Sequence, residues 1–275
     1  MNEISLEKSP LGKTTQYIAE YAPELLFAIP RAPKRQLLDI PNPLPFYGFD
    51  LWNAYELSWL NQKGKPIVAI GKIMIPCDSA NIIESKSMKL YFNSFNNTRF
   101  STTTALTQTI QNDLSNITNS HVAVDITTLD EATDIRTESL SGRCIDSLDI
   151  IANEYCVNPA LLQTENTIVR ETLHSNLLKS NCLATKQPDW ASVKIQYHGR
   201  KIRPDALLKY IISYRDHLEF HEQCVERLFM DIMRQCQPKT LTVEARYTRR
   251  GGLDINPVRS TSPSVQSVNQ RQIRQ

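Results

Sequence analysis

The sequence has no C-x-x-C pair, no G-x-G-x-x-G and no P-loop. It therefore offers neither a Rossmann nor a Walker-type nucleotide cradle. His221-x-x-Cys224 could place two metal ligands on one helix face, but no second pair has zinc-site spacing, so no metal is expected. No apolar run approaches the length needed to cross a bilayer, and Met1 to Tyr21 lacks an apolar core of signal-peptide length. The chain carries little net charge, +2, which gives no bulk reason to expect nucleic-acid binding. Its six cysteines show no tight pairing pattern. Reduced thiols in a cytoplasmic protein are the natural expectation.

What is present suits a soluble globular chain. It has 275 residues, 41% hydrophobic and 22% charged, enough for one large core or two of ordinary size. Prolines at 30, 33, 41, 43 and 45 forbid a long helix near the start, so residues 1–45 are expected to be mostly extended. Leu51–Leu60 and Ile67–Ile75 read as two strands joined by a turn at residues 61–66. Helices are expected at about 85–95 and 103–117, the second with Leu106, Ile110 and Leu114 on one face. Val122, Val124 and Ile126 alternate as a strand, and Leu148–Tyr155 reads as another. The second half repeats this order: a hairpin about Cys182, a helix opened by Pro204, a longer helix at about 219–236, then Leu241–Tyr247 as a strand, with Leu253–Ile255 pairing briefly after Gly251-Gly252. The expected fold class is α+β, with two tandem domains over 46–160 and 161–260 and a solvated polar tail, or an arm ordered by a neighbouring subunit, over 261–275.

Four stretches hold residues fit for chemistry. Ser180-Asn181-Cys182 and Gln187-Pro188-Asp189 put a thiol and a carboxyl seven residues apart in one loop. Its polar neighbours and Pro-Asp turn suggest exposure. A thiolate is a soft nucleophile and a protonated carboxyl a proton donor; the plain alternative is a small buried hydrophobe. Glu84-Ser85-Lys86-Ser87-Met88-Lys89 opens a helix, where free N–H groups, a serine and two lysines suit a phosphate; otherwise it is a capped surface helix. In Phe220-His221-Glu222-Gln223-Cys224, Glu222 either accepts two N–H bonds from an aminopyrimidinone ring or is a first-turn acid favoured by the helix dipole. Tyr247-Thr248-Arg249-Arg250-Gly251-Gly252 can grip a phosphate or form a solvated basic turn.

These four motifs, in this order, resemble the QueF family of NADPH-dependent nitrile reductases that act on 7-cyano-7-deazaguanine. The similarity runs from about Tyr47 to the C-terminus and fits the two-domain form, with the E-S-K motif in the first half and the cysteine in the second. Met88 stands where the family often has Phe or Leu, and Lys186 lies at a variable position; neither departure touches the chemistry. The fold implied is two tandem tunnelling-fold domains. The resemblance implies that Cys182 attacks the nitrile carbon to form a covalent thioimide, and that Asp189 delivers the proton. It also implies that Glu222 holds the guanine-like edge, with His221 beside the reacting group and Ile83, Glu84 and Ser85 completing the base pocket. Ser85, Lys86, Arg250 and Gly251 match the family's NADPH contacts. Two NADPH would be used per nitrile, in queuosine biosynthesis, by a homodimer whose site lies at a domain or subunit interface. The substrate is a free base, so no direct tRNA contact is implied. The competing readings are a Cys-dependent nitrile hydrolase and a non-catalytic purine- or pterin-binding protein.

Overall fold

The computed structural model describes residues 17–132, 137–183 and 185–275. The start of the expected extended segment, residues 1–16, and Ala184 of the Cys182 loop lie outside them. In chain order the elements are β1 (Ala28–Pro30), α1 (Ala32–Leu37), β2 (Tyr47–Leu60), β3 (Pro66–Pro76), β4 (Asn81–Ile83), α2 (Ser85–Asn93), α3 (Thr103–Thr118) and β5 (Ala123–Thr128). There follow β6 (Arg143–Cys144), β7 (Thr164–Asn181), β8 (Pro188–Ile202), α4 (Pro204–Ile212), α5 (His221–Cys236), β9 (Thr240–Tyr247) and β10 (Leu253–Ser260). The strand–strand–helix–helix–strand order thus occurs twice, and the architecture is mixed α+β with mainly antiparallel pairing. Among the described residues no helix is long and apolar enough to cross a membrane.

The described residues form two compact units. The first takes residues 17–35, 50–132 and 249–255. Here β2 lies beside β3, and β3 pairs antiparallel with β5 from Ala69↔Thr128 to Met74↔Ala123. The β2–β3 turn closes on Asn61, whose N–H donates to the Lys65 carbonyl at 2.9 Å, with Gly64 at φ +82°. Trp52 and Trp59 of β2 and Ile73 and Ile75 of β3 bury one sheet face against Met88, Tyr91 and Phe92 of α2 and Leu106, Ile110 and Leu114 of α3. The 3.6-residue spacing of the α3 leucine and isoleucine stripe puts all three on that face. The Thr102 hydroxyl caps α3 by accepting the Ala105 N–H at 3.1 Å. Tyr91 donates its hydroxyl to Asp113 at 2.7 Å and so ties α2 to α3.

The second unit takes residues 36–49, 137–248 and 256–275. β7 and β8 form a long hairpin from Thr164↔Ile202 to Asn181↔Pro188, with irregularities at 164–168 and 175–178. β9 pairs with both β8 and β10. Leu173, Val193, Ile195, Val243 and Ala245 are all buried, as are Leu207 and Ile211 of α4 and Val225, Leu228, Phe229 and Ile232 of α5. Each fully buried side chain of this kind contributes roughly 1.5–3 kcal/mol. Pro204 opens α4, where its missing N–H has no helical partner to lose.

Three expectations need correction. Residues 148–155 form no strand; Ile151 is 79% exposed and the stretch supplies no alternating buried face. β10 is not a brief pairing of three residues but a full strand to Ser260. The C-terminal residues are not a solvated tail. Gln272 and Gln275 are buried, and Gln275 Nε2 donates to the Tyr247 carbonyl at 2.9 Å and to Asn256 Oδ1 at 2.7 Å. The segment is polar because the sheet face it covers is polar: Arg246, 2% exposed, donates to Asn269 Oδ1, Ser267 Oγ and the Val268 carbonyl.

Candidate active site

Cys182 sits in the turn between β7 and β8. Its N–H donates to the Gln187 carbonyl and its carbonyl accepts from Lys186 N–H, both at 2.9 Å. Lys186 takes a left-handed φ of +56° to close the turn. Pro188 does not break the pairing as the sequence suggested: it stands opposite Asn181 as the first residue of β8, where a proline costs no ladder bond, and Asp189 stands opposite Ser180. The thiol-bearing residue is also not exposed. Cys182 is 8% and Asp189 7% exposed. The strand end that carries Cys182 is not a free edge, because residues 217–219 pair alongside it: Asn181 N–H donates to the His217 carbonyl at 2.7 Å, and Glu219 N–H donates to the Asn181 carbonyl at 3.2 Å.

That connector leads into α5, whose first two residues are His221 and Glu222. His221 Nε2 lies 3.4 Å from Asp189 Oδ2. Its ring stacks on Tyr247, with centroids 3.9 Å apart and planes 22° from parallel. Tyr247 is buried, and burial raises its phenol far above the ordinary range, so it stays protonated. It thus fixes the imidazole plane by packing. Glu222 is 3% exposed in the first turn of α5, where the helix dipole favours a carboxylate. One unit therefore gathers Cys182, Asp189, His221 and Glu222 about the end of the β7–β8 hairpin and the start of α5. The sequence did not single out Tyr247 for its stacking role; its position at the end of an alternating apolar strand was the available signal.

In the other unit, Ile83 ends β4 and Glu84 is the N-cap of α2. The Glu84 carboxylate accepts the Lys86 N–H at 2.6 Å and the Ser87 N–H at 2.8 Å. The free backbone donors that suggested a phosphate site are therefore taken by the helix's own cap. Burial pushes the Glu84 carboxyl up, and those two N–H bonds oppose the rise. Its oxygens still have lone pairs to spare after two bonds. Ser85, Lys86 and Lys89 follow on α2.

The Arg249–Gly252 turn belongs to the same unit. Gly251 and Gly252 have φ of +61° and +77°, and the turn is closed by Arg250 N–H to the Leu253 carbonyl at 2.8 Å. Lys89 lies against Gly251 so closely that a Cβ there would come within 2.9 Å of its Cδ, and Lys89 Nζ is 3.6 Å from Glu56. Arg249 sits over the Tyr55 ring, 4.5 Å from its centroid. The E-S-K helix and the R-R-G-G turn, far apart in sequence, thus meet as one basic surface. The hollow between them is about 10 Å³, room for no more than a water, so a phosphate group would lie on this surface rather than within it.

Residues 17–126 match the family model described as nitrile reductase, 7-cyano-7-deazaguanine-reductase N-term, and residues 188–265 match the model described as QueF-like protein. The NADPH-dependent 7-cyano-7-deazaguanine reductase of Coxiella burnetii (strain Dugway 5J108-111) is 57% identical over 271 residues, 98% of this chain and 97% of that protein. The reductase of the same name from Legionella pneumophila (strain Lens) is 56% identical over 271 residues, 98% of this chain and 95% of that protein. A solved structure of the archaeosine synthase QueF-Like in the apo form covers 37% of this chain and 99% of its own, at 21% identity and a TM-score of 0.31, too slight a likeness to bear on the fold.

Proposed function

The chain belongs to the NADPH-dependent 7-cyano-7-deazaguanine reductase family, and from that premise we propose that it reduces the nitrile of 7-cyano-7-deazaguanine to the aminomethyl group through a covalent intermediate on Cys182. The observation that carries the mechanism is the placement of Asp189 and His221, 3.4 Å apart, at the hairpin end that bears Cys182.

A nitrile is a poor hydride acceptor and a protonated thioimide a better one, which is the physical reason for covalent catalysis. The Cys182 sulfur adds to the nitrile carbon, and one carbon–nitrogen π bond becomes an N–H bond with the proton delivered by Asp189. His221 Nε2 stands beside that carboxyl, 3.4 Å from Asp189 Oδ2. NADPH supplies hydride, once to the thioimide carbon and once to the imine left when the carbon–sulfur bond breaks. Each hydride is matched by one proton from solvent, and the thiol is regenerated. Glu222 accepts paired N–H bonds from the purine-like edge, and Ile83, Glu84 and Ser85 complete the recognition of the base. Ser85, Lys86, Arg250 and Gly251 hold the dinucleotide. Lys89 and Arg249 put positive charge at the Arg249–Gly252 turn, which suits a phosphate-bearing cosubstrate, while the places a Cβ would take at Gly251 and Gly252 are held by the Lys89 and Glu56 side chains.

The reading extends to a place in queuosine biosynthesis, to the tandem tunnelling fold, to a homodimer and to the cytoplasm. The doubled element order supports the tandem fold. The six cysteines are not joined in disulfides, in keeping with a reducing compartment. Light scattering on the purified protein checks the dimer.

The test is absorbance at the reduced-nicotinamide band with 7-cyano-7-deazaguanine. Two NADPH oxidised per nitrile, with the amine as product, is expected. Cys182→Ala should lose turnover and the thioimide absorbance together, and Asp189→Asn should slow thioimide formation by about 10²-fold or more. Ammonia release without NADPH oxidation would instead establish a nitrile hydrolase.

A further inference from the structure

We infer that Glu219 is a positioning residue, which sets the Cys182 loop and the His221–Glu222 helix start in register for the reaction proposed above. A short connector, residues 217–219, joins these two places. At one end it forms a parallel bridge onto the last residue of β7, Asn181↔Leu218, immediately before Cys182. At the other it runs into α5 two residues before His221. The connector thus joins both ends within five residues, Leu218 to Glu222, so the spacing between nucleophile and proton-handling residues depends on how it is held.

Glu219 holds it. The side chain is fully buried and accepts a forked pair from Arg227, Nε onto Oε2 at 3.2 Å and Nη2 onto Oε1 at 3.1 Å, while His217 Nε2 lies 2.8 Å from the same Oε2. Arg227 lies further along α5, so the carboxylate straps the connector to the helix it precedes. Asn181 adds its own side-chain amide, donating toward the Arg215 carbonyl at 3.3 Å. Glu219 is sealed from solvent and bonded to the connector and to α5, so its effect on chemistry runs through placement. A buried ion pair is weak evidence for stability, since apolar packing often does as well; a forked guanidinium–carboxylate pair does better at fixing geometry.

The same cluster could be taken for a metal site, because donor atoms of His217, Glu219 and Cys224 lie within 4.8 Å of one another. The forked Arg227 pair argues otherwise: a cation would have to displace a guanidinium that already occupies both carboxylate oxygens.

The experiment compares wild type with Glu219→Gln, which keeps size and removes charge, and with Arg227→Lys, which keeps charge and removes the fork. Stopped-flow absorbance gives the rate of thioimide formation at saturating nitrile, and steady state gives the KM for NADPH. Amide hydrogen exchange follows residues 181–183 and 219–222. The expected result is a thioimide rate lower by about 10- to 100-fold, a KM for NADPH within about twofold of wild type, and faster exchange at both ends of the connector together. Unchanged thioimide rate, or a loss shared equally by the NADPH KM, overturns the positioning role. Wild type that forms no thioimide sinks the nitrile-reductase reading instead, and exchange alone then decides: protection lost at one end only, or at neither, removes the strap. Arg227→Lys carries the same measurements if Glu219→Gln does not fold. Loss of wild-type activity with a chelator would restore the metal reading.

Discussion

At the scale of single residues, Glu219 shows how far a side chain can be legible in type and hidden in role. It lies inside the Glu219-Phe220-His221-Glu222 motif, yet nothing in the string tells that it is sealed from solvent between Arg227 and His217. Burial opposes its charge, and the two partners more than reverse that, bringing the carboxyl from 4.5 down to about 2. The folded state therefore holds the proton less readily than the unfolded chain. The stability from this group is present in full above about pH 4.5 and is lost as pH falls to about 2, on the order of 3 kcal/mol. Acid titration of the melting temperature should thus be steep between those limits in wild type and shallower in Glu219→Gln. Parallel curves would mean that the group is solvated. Cys182 teaches the converse. Its reactive type was plain from the sequence, but its polar neighbours suggested exposure, whereas the thiol-bearing residue is 8% exposed. Asn181 and Thr185 bond backbone of the connector and the turn, and Lys186 and Gln187 do face water, yet the turn they build covers the cysteine between them.

At the scale of elements, period decided most of what could be read. The α3 stripe Leu106, Ile110 and Leu114 fixed a helix whose observed end, Thr118, lies one residue from the expected one. The alternation from Leu241 to Tyr247 gave β9 to within one residue. Strand length was less legible. β7 begins at Thr164, eighteen residues before Cys182, and its outer part pairs with β8 while exposing both faces, and so carries no alternating apolar signal. β10 was likewise hidden: Asn256 and Arg259 lie beyond the brief pairing expected at Leu253–Ile255, yet both are buried in the strand with polar partners, Arg259 on Glu226 at 2.9 Å among them. Backbone geometry adds a constraint that patterning misses. Gly48 has φ of +141°, and a Cβ there would lie 2.0 Å from the Val258 carbonyl oxygen. Gly48→Ala should destabilise by on the order of 3 kcal/mol. Gly71→Ala meets the flexible end of Leu57 instead and should be milder. Equal melting temperatures for the two variants would contradict this ranking.

At the scale of the whole molecule, the doubled strand–strand–helix–helix–strand order was readable because each half repeats the same change of period, from two to 3.6 and back. The covering of the polar sheet face was not readable, since hydropathy cannot distinguish a polar segment that meets water from one that meets other polar groups. Thr242, Glu244 and Arg246 of β9 alternate with the apolar residues that face the helices. Glu244 pairs with Lys194 at 2.7 Å and with Arg246 at 2.7 Å, and Ser267 donates to it at 2.9 Å. These partners outweigh burial and hold the Glu244 carboxyl below its ordinary range. The C-terminal segment completes this network, with Arg246 bonding three of its residues. Removal of residues 262–275 takes these three bonds from the buried Arg246 and opens its face of the sheet to water. A net loss of about 2 kcal/mol is expected, as for a broken buried hydrogen-bond network, and that corresponds to a fall in Tm of about 4–8 °C for a unit of this size. Calorimetry on the truncated chain beside the full chain reads that difference. An unchanged Tm would show that the segment is a solvated tail after all, and that the buried arginine is satisfied by Glu244 alone.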